Sequence, residues 1–244
     1  MSTARTAIVT GASRGIGAQV ARRLAQDGFA VVVNYAGGVD VAKALVAQIQ
    51  GEGGAAIAVQ ADVADAAAVK AMLDQATEAF GGVDVLVNNA GVMKLAPIVQ
   101  SDDALFDQHI AINLRGTFNC LREAGQRLRE GGRIINFSTS VVGLYQPGYG
   151  VYAATKAAVE AMTHIMAKEM RGRRITVNAV APGPVNTELF RSGKTPELME
   201  QIAKLAPLER LGEPEDIAAV VAFLASPDGA WVNGQVLRAN GGVV

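Results

Sequence analysis

The sequence predicts an α/β protein, a single doubly wound parallel sheet of about seven strands flanked by helices. Three observations predict it. Short apolar runs alternate with longer helical patterns from one end to the other. Most of those runs are continuous rather than alternating in polarity, and no linker, repeat or break in composition divides the 244 residues. Continuous runs suit parallel strands buried on both faces, and strand–helix alternation on this scale implies right-handed crossovers.

The elements follow in order. The first run, 7–10, enters a glycine-rich turn and a helix over 16–27. The second, 30–34, is followed by a helix over 39–51, and the third, 55–60, by one over 66–80. The fourth, 83–87, precedes a long helical stretch over 102–130, and the fifth, 133–137, precedes one over 151–170. A sixth run, 175–180, opens onto a segment holding five of the eight prolines, Pro182, Pro184, Pro196, Pro207 and Pro214, with an amphipathic piece at 197–205. A helix over 214–225 and a run at 235–239 complete the domain. Long connections at the carboxyl end of a sheet are usually functional, so 186–212 reads as a lid over a substrate.

Composition removes several function classes. Hydrophobic residues make up 50% and charged residues 18%, as in a compact globule, and 22 Lys+Arg against 23 Asp+Glu leave no basic footprint for nucleic acid. No apolar run approaches the ~18 residues that cross a membrane. The N-terminus runs directly into a strand without a signal-like stretch, so a cytoplasmic location is expected. Cys120 stands alone, which excludes an internal disulfide, and reads as a small buried hydrophobe. His109 and His164 have no carboxylate–cysteine company and read as structural or surface residues; no metal site is expected.

The first strand leads into Thr10-Gly11-Ala12-Ser13-Arg14-Gly15-Ile16-Gly17. Glycines at 11, 15 and 17 permit a tight turn, close approach to a pyrophosphate, and helix–strand packing, with the helix N-terminus facing the phosphates. The end of the second strand selects the nucleotide. A carboxylate there would accept the ribose hydroxyls and repel a 2′-phosphate. Asn34-Tyr35-Ala36-Gly37-Gly38 supplies none, and Asp40 falls within the next helix. Arg14 offers a guanidinium suited to phosphate, so NADP(H) is favoured over NAD(H). Asp62-Val63 after the third strand could accept from an adenine amine. Asn88-Asn89-Ala90-Gly91 after the fourth lets a ribose approach the backbone, although turn chemistry alone also explains it.

Tyr152 and Lys156 are spaced i, i+4 on one helix face. A lysine there can lower a phenol's pKa from its reference near ~10 and make it a proton donor or acceptor near neutrality. Asn113 lies in an otherwise helical stretch beside Gly116, and both weaken that turn, so a kinked helix exposing a carbonyl and a tolerated polar residue are both open readings. Ser138-Thr139-Ser140 follows the fifth strand, and a hydroxyl there could donate to a developing oxyanion. Pro182-Gly183-Pro184-Val185-Asn186-Thr187 forms a rigid turn after the sixth.

Together, Thr10–Gly17, Asn88–Gly91, Asn113, the Ser-Thr-Ser strand end, the Tyr152/Lys156 pair and Pro182-Gly183 resemble the short-chain dehydrogenase/reductase family over essentially the whole chain. Asn34-Tyr35-Ala36 and the segment 231–242 are most similar to the branch of naphthol-type and 3-oxoacyl-carrier-protein reductases. The resemblance implies a Rossmann-type fold and reversible, NADPH-dependent reduction of a ketone. Tyr152 would be the general acid. Lys156 would bind the nicotinamide ribose and lower the Tyr152 pKa, and Asn113 would hold a water that links Lys156 to solvent. Val185 and Thr187 would anchor the carboxamide, while Ser13, Ile16, Asn89, Ala90, Gly91, Pro182 and Gly183 complete the cofactor contacts. Counted ungapped from Gly132, the family's serine falls on Thr139. Matching the string Ser-Val-Val-Gly selects Ser140, and a bulged strand end would select Ser138.

An apolar set, Met93, Leu144, Tyr145, Tyr149, Gly183 and Phe190, is expected to line the substrate pocket. Rival readings are a sugar or polyol dehydrogenase of the glucose 1-dehydrogenase kind, a 3-oxoacyl-carrier-protein reductase, and a non-catalytic NADP(H) sensor. The presence of Asn113, Tyr152 and Lys156 argues against the sensor, which needs only the nucleotide end. Arg127, Arg129, Arg171, Arg173 and Arg174 read as a solvated helix end rather than a docking patch for an acidic carrier. Met162, Met166 and Met170 read as a packing stripe. Ala153, Ala157 and Ala161 let a neighbouring helix approach closely, and the family's habit suggests a homotetramer through 102–130 and 151–170.

Overall fold

The computed structural model of the protein describes residues 4–244. Seven strands, β1 (Thr6–Val9), β2 (Ala30–Tyr35), β3 (Ala55–Gln60), β4 (Val85–Asn88), β5 (Arg133–Phe137), β6 (Thr176–Pro182) and β7 (Val236–Ala239), form one sheet in the order β3-β2-β1-β4-β5-β6-β7. Every adjacent pair is parallel. The order reverses between β1 and β4, and the crevice above that point is where doubly wound sheets take ligands.

The α-helices are α1 (Gly15–Gln26), α2 (Val39–Gly51), α3 (Ala66–Phe80), α4 (Asp103–His109), α5 (Thr117–Arg127), α6 (Val141–Leu144), α7 (Gly150–Glu169), α8 (Glu188–Arg191), α9 (Pro196–Ala203) and α10 (Pro214–Ala225). Strand side chains alternate between two cores. Ala7, Val9, Val31, Val33 and Ile135 pack with Leu24 of α1, Leu45 of α2 and Val221 of α10. Ile8, Val32, Leu86 and Ile134 pack with Leu73 of α3, Leu121 of α5 and Met166 of α7. Met162 and Met170 lie against the second core, as does the fully buried Cys120. Both faces are covered, which is why the strands read as unbroken apolar runs.

The expected helix over 102–130 is divided. Between α4 and α5 the chain follows a π-helix, Ile110–Gly116. Asn113 lies inside it, and the Thr117 hydroxyl donates to the Asn113 carbonyl at 2.8 Å. A Cβ on Gly116 would meet Val63 Cγ2 at 2.5 Å, so glycine is required for this helix to pass the end of β3. π-Turns of this kind concentrate at functional sites.

Segment 186–212 leaves and rejoins the body at one point. Val185 forms a parallel bridge with Gly212, closed by Gly212 N–H to Pro184 O at 2.9 Å and Asn186 N–H to Gly212 O at 2.8 Å. Beyond that base it carries α8 and α9, each started by a threonine cap, Thr187 and Thr195. Among the described residues, no helix is long and apolar enough to cross a membrane.

Candidate active site

The carboxyl ends of β1, β4, β5 and β6 converge on one cleft. Below it, Gly11 and Gly15 adopt φ of +60° and +57°. A Cβ on Gly11 would lie 2.9 Å from Ala90 Cα, and one on Gly17 would lie 2.5 Å from Asn89 Nδ2. Two of these glycines are therefore steric necessities of the turn's seat on the β4 exit. Asn89 holds that seat, with Nδ2 donating to Thr10 O at 2.8 Å and Gly11 O at 3.0 Å. The Thr10 hydroxyl accepts from the Asn89 and Ala90 amides at 3.0 Å each. The cradle, with α1 starting at Gly15, fits a dinucleotide pyrophosphate. Ser13 and Arg14 lie at its outer lip, half-buried and exposed, and Arg14 Nη1 stands 3.9 Å from Glu188 of α8.

Asn34 is corrected by its surroundings. It is buried, its Oδ1 accepts from Gly11 N–H at 3.2 Å, and its Nδ2 donates to Val59 O and Ala61 O at 3.3 and 3.0 Å. Its side chain braces the glycine turn against the β3 exit, with both amide hydrogens taken and none left to donate to a nucleotide. Asp62 is exposed; Oδ1 accepts from Ala64 N–H at 2.9 Å. Val63 is buried, with its carbonyl taken by Asn119.

The three hydroxyls after β5 have separate fates. Ser138 donates to Glu160 Oε1. Ser140 donates to Ala181 O at 3.2 Å and accepts from Asn240 Nδ2 at 2.9 Å. Thr139 Oγ1 accepts from Val141 N–H at 3.3 Å and stands beside the Tyr152 phenol, whose pKa it pulls down. Burial outweighs that pull and, with Tyr149 adding to the rise, pushes the phenol up to about 12. Burial brings Lys156 down to about 8. Lys156 Nζ is directed at Phe137 O, 2.9 Å away.

Asn113 is fully buried, and its side chain is committed: Oδ1 accepts from Val92 N–H at 2.8 Å and Nδ2 donates to Val92 O at 2.9 Å. It clamps the β4 exit loop to the π-helix. A Cβ on Gly91 would come within 3.2 Å of Asn113 Oδ1 and 3.5 Å of Lys156 Nζ, so both groups flank that glycine. His109, also fully buried, bonds Leu105 O through Nδ1 at 2.7 Å and accepts from Lys94 N–H through Nε2 at 3.2 Å. Its ring meets Tyr152 edge-on, centroids 6.2 Å apart. His164 is exposed and bonded to Gly234 O.

Above the phenol the cleft opens to about 1160 Å³, its mouth included. Ile16, Asn89 and Gly91 line its nucleotide end, and Pro182, Gly183, Val185 and Thr187 its β6 side. Of the expected substrate wall, Met93, Leu144, Tyr149 and Phe190 are in place. Tyr145 is not: it turns out to solvent, 86% exposed, on a backbone with φ of 51°. The sequence reading missed Gln146, Leu189, Ile202, Leu205 and Val243, which also line the cleft. No motif marks them; the amphipathic pattern at 197–205 was the one available signal, and it yields Ile202 and Leu205. Of the five arginines considered for carrier docking, four are engaged within the chain and Arg171 stands exposed. Arg127 pairs with Asp74 and Glu123, Arg129 with Asp84, and Arg174 with Glu130, while Arg173 caps the Gly125 and Leu128 carbonyls.

Residues 11–244 match the family model described as enoyl-(acyl carrier protein) reductase. A short-chain type dehydrogenase/reductase of Picea abies is 47% identical over 98% of this chain and 92% of its own. An NADPH-dependent aldehyde reductase-like chloroplastic protein of Arabidopsis thaliana is 45% identical over 98% and 94%. A 3-oxoacyl-acyl-carrier-protein reductase of Staphylococcus aureus is 44% identical over 100% and 99%. Among solved structures, a short-chain dehydrogenase of Burkholderia cenocepacia in complex with NADP superposes with a TM-score of 0.93 at 37% identity, over 98% of this chain and 97% of that one.

Proposed function

The chain belongs to the short-chain dehydrogenase/reductase family and is an oxidoreductase of C=O and CH–OH groups; from that premise we propose that it reduces a small, largely apolar aldehyde or ketone with NADPH, reversibly. One observation carries the reading. A phenol, Tyr152, and a hydroxyl, Thr139, meet at the wall of an apolar cleft that continues to a glycine-walled nucleotide cradle, with a buried lysine behind them. NADP-bound and NADPH-dependent relatives support the cofactor.

When bound, NADPH supplies the hydride. Tyr152 gives its phenolic proton to the carbonyl oxygen as negative charge develops there, and the Thr139 hydroxyl donates to the same oxygen. Lys156, held against Gly91, binds the ribose and returns a proton to Tyr152. The Asn113 carbonyl, which accepts from the Thr117 hydroxyl at 2.8 Å, also holds a water that feeds Lys156. The amides of 11–17, with Arg14 at the lip, hold the phosphates. Asp62, Val63 and Ala90 face the adenosine, and Val185 and Thr187 receive the carboxamide. The segment 186–212, closed at its base by the Val185–Gly212 bridge, acts as a lid whose Leu189, Phe190, Ile202 and Leu205 face the substrate.

With four of the five arginines on that helix end engaged within the chain and Arg171 alone of the five exposed without an ion pair, the basic patch for an acidic carrier is small, which favours a free aldehyde or ketone over a carrier-bound thioester. Exposed apolar positions along α5 and α7, Phe118, Ala157, Ala161 and Ile165, support assembly of copies into a tetramer.

The test is NADPH against NADH oxidation over a panel of aldehydes, ketones, quinones and 3-oxoacyl thioesters, run on the parent and on Tyr152→Phe. Turnover of small apolar carbonyls is expected, with Tyr152→Phe binding NADPH and losing about 10²-fold or more in kcat. Comparable rates in Tyr152→Phe sink the mechanism. Tight NADPH binding without turnover of any carbonyl points to a sensor.

A further inference from the structure

Glu160 takes no part in the chemistry above, yet it stands two turns beyond Tyr152 and one beyond Lys156, on the same face of α7. Thr163 follows on that face. Strand β5 runs beneath it, and its alternate side chains Asn136 and Ser138 project toward the helix. Asn136 Nδ2 donates to Thr163 Oγ1 at 2.8 Å, and the Ser138 hydroxyl donates to Glu160 Oε1. Between them, Lys156 Nζ donates to Phe137 O. Asn88 Nδ2 of β4 extends the ladder by donating to Asn136 Oδ1 at 2.8 Å. Three consecutive residues at the end of β5 are thus fastened to three successive turns of α7. A slip or rotation that carried Tyr152 away would break all three bonds.

On the other side of Thr139, Ser140 is held by Ala181 O and Asn240. The two serines are drawn in different directions, and the threonine between them, whose Oγ1 accepts from Val141 N–H at 3.3 Å, stands beside the phenol. Resting on the reading of Tyr152 and Thr139 above, we propose that Glu160 is a positioning residue. By holding the Ser138 hydroxyl it fixes the exit of β5 so that Thr139, and neither neighbour, meets Tyr152. Without that anchor a run of three hydroxyls can bulge by a residue, and a misplacement of about 1 Å costs up to ~10²-fold in rate.

Steady-state kinetics with NADPH and the best carbonyl of the panel test this on Glu160→Ala, Glu160→Gln, Ser138→Ala and the Ser138→Ala/Glu160→Ala double variant. Glu160→Ala is expected to lower kcat about tenfold or more, with KM for NADPH within about twofold because the nucleotide cradle is untouched. Glu160→Gln recovers most of that loss, since its amide oxygen still accepts from Ser138. The double variant loses no more than Glu160→Ala alone, because both changes remove one contact. A Glu160→Ala kcat within about twofold of the parent, a Glu160→Gln no better than Ala, or losses that multiply in the double variant each overturn the proposal. NADPH-binding titrations and thermal melts on every variant identify any that fail to fold; if Glu160→Ala does, Glu160→Gln and Ser138→Ala carry the comparison. Tyr152→Phe runs alongside. An active Tyr152→Phe overturns the reading of the site, whereas an inactive one beside an indifferent Glu160→Ala overturns only the role of Glu160.

Discussion

The Lys156 ammonium donates to the Phe137 carbonyl, 2.9 Å away, from a buried side chain at the wall of the cleft. One neutral acceptor does not offset the lost solvation of a charge, so its pKa falls to about 8 while that of the Tyr152 phenol rises to about 12. The lysine, and not the phenol, then titrates nearest to neutrality.

Reductive turnover is accordingly expected to carry one basic limb near pH 8. As pH rises through 8 the lysine loses the proton it returns to Tyr152, and kcat falls about tenfold per further unit. Tyr152 stays protonated through this range. A kcat–pH profile on the parent and on Lys156→Arg checks it, since a guanidinium does not deprotonate there and the limb should leave the accessible range. A parent limb near 10 would contradict the assignment.

Thr139 and Ser140 should separate cleanly. Thr139→Ala lowers kcat by about 10² to 10³-fold, the usual cost of one donor to a developing oxyanion, and Thr139→Ser restores most of it. Ser140→Ala instead lowers stability by about 1 kcal/mol through its lost bonds to Ala181 and Asn240, read as a shift in the denaturation midpoint. Equal kinetic losses in the two alanine variants would count against this division.

Arg14 is exposed, and its one ion pair, to Glu188, spans 3.9 Å, so its guanidinium is available to a phosphate. Arg14→Ala is expected to weaken NADPH about tenfold or more while changing NADH little, the difference being one charge-assisted contact. Fluorescence titration of both nucleotides measures it, and equal weakening would remove Arg14 from the choice of cofactor.

Gly17→Ala places a methyl 2.5 Å from Asn89 Nδ2 and 2.6 Å from Gly11 O. Asn89 must move, releasing the turn it pins, so a loss of about 1–3 kcal/mol in stability is expected together with weaker nucleotide binding. Gly51→Ala, whose added methyl meets nothing within 4 Å, serves as the control and should not lower the denaturation midpoint.

The alternation of elements, the glycine turn and the Tyr152/Lys156 pair were legible in the residues alone, because each depends on neighbours within a few positions. Periodicity reports burial, glycine reports backbone freedom, and i, i+4 spacing reports a shared helix face. The division of 102–130 was half legible: Asn113 and Gly116 marked a weak turn, but the contact with Val63 that makes Gly116 necessary joins elements far apart in the chain.

Where partners come from distant segments, only the tertiary structure decided. Asn34 reads as a nucleotide contact until Gly11, Val59 and Ala61 are seen to occupy it. Tyr145 reads as pocket wall until its left-handed backbone turns it outward. Among Ser138, Thr139 and Ser140, local sequence offers three equivalent hydroxyls. Glu160 from α7 and Asn240 from beyond β7 engage two of them and so tell them apart, through hydrogen bonds that exist only once parallel crossovers bring those elements to one edge of the sheet.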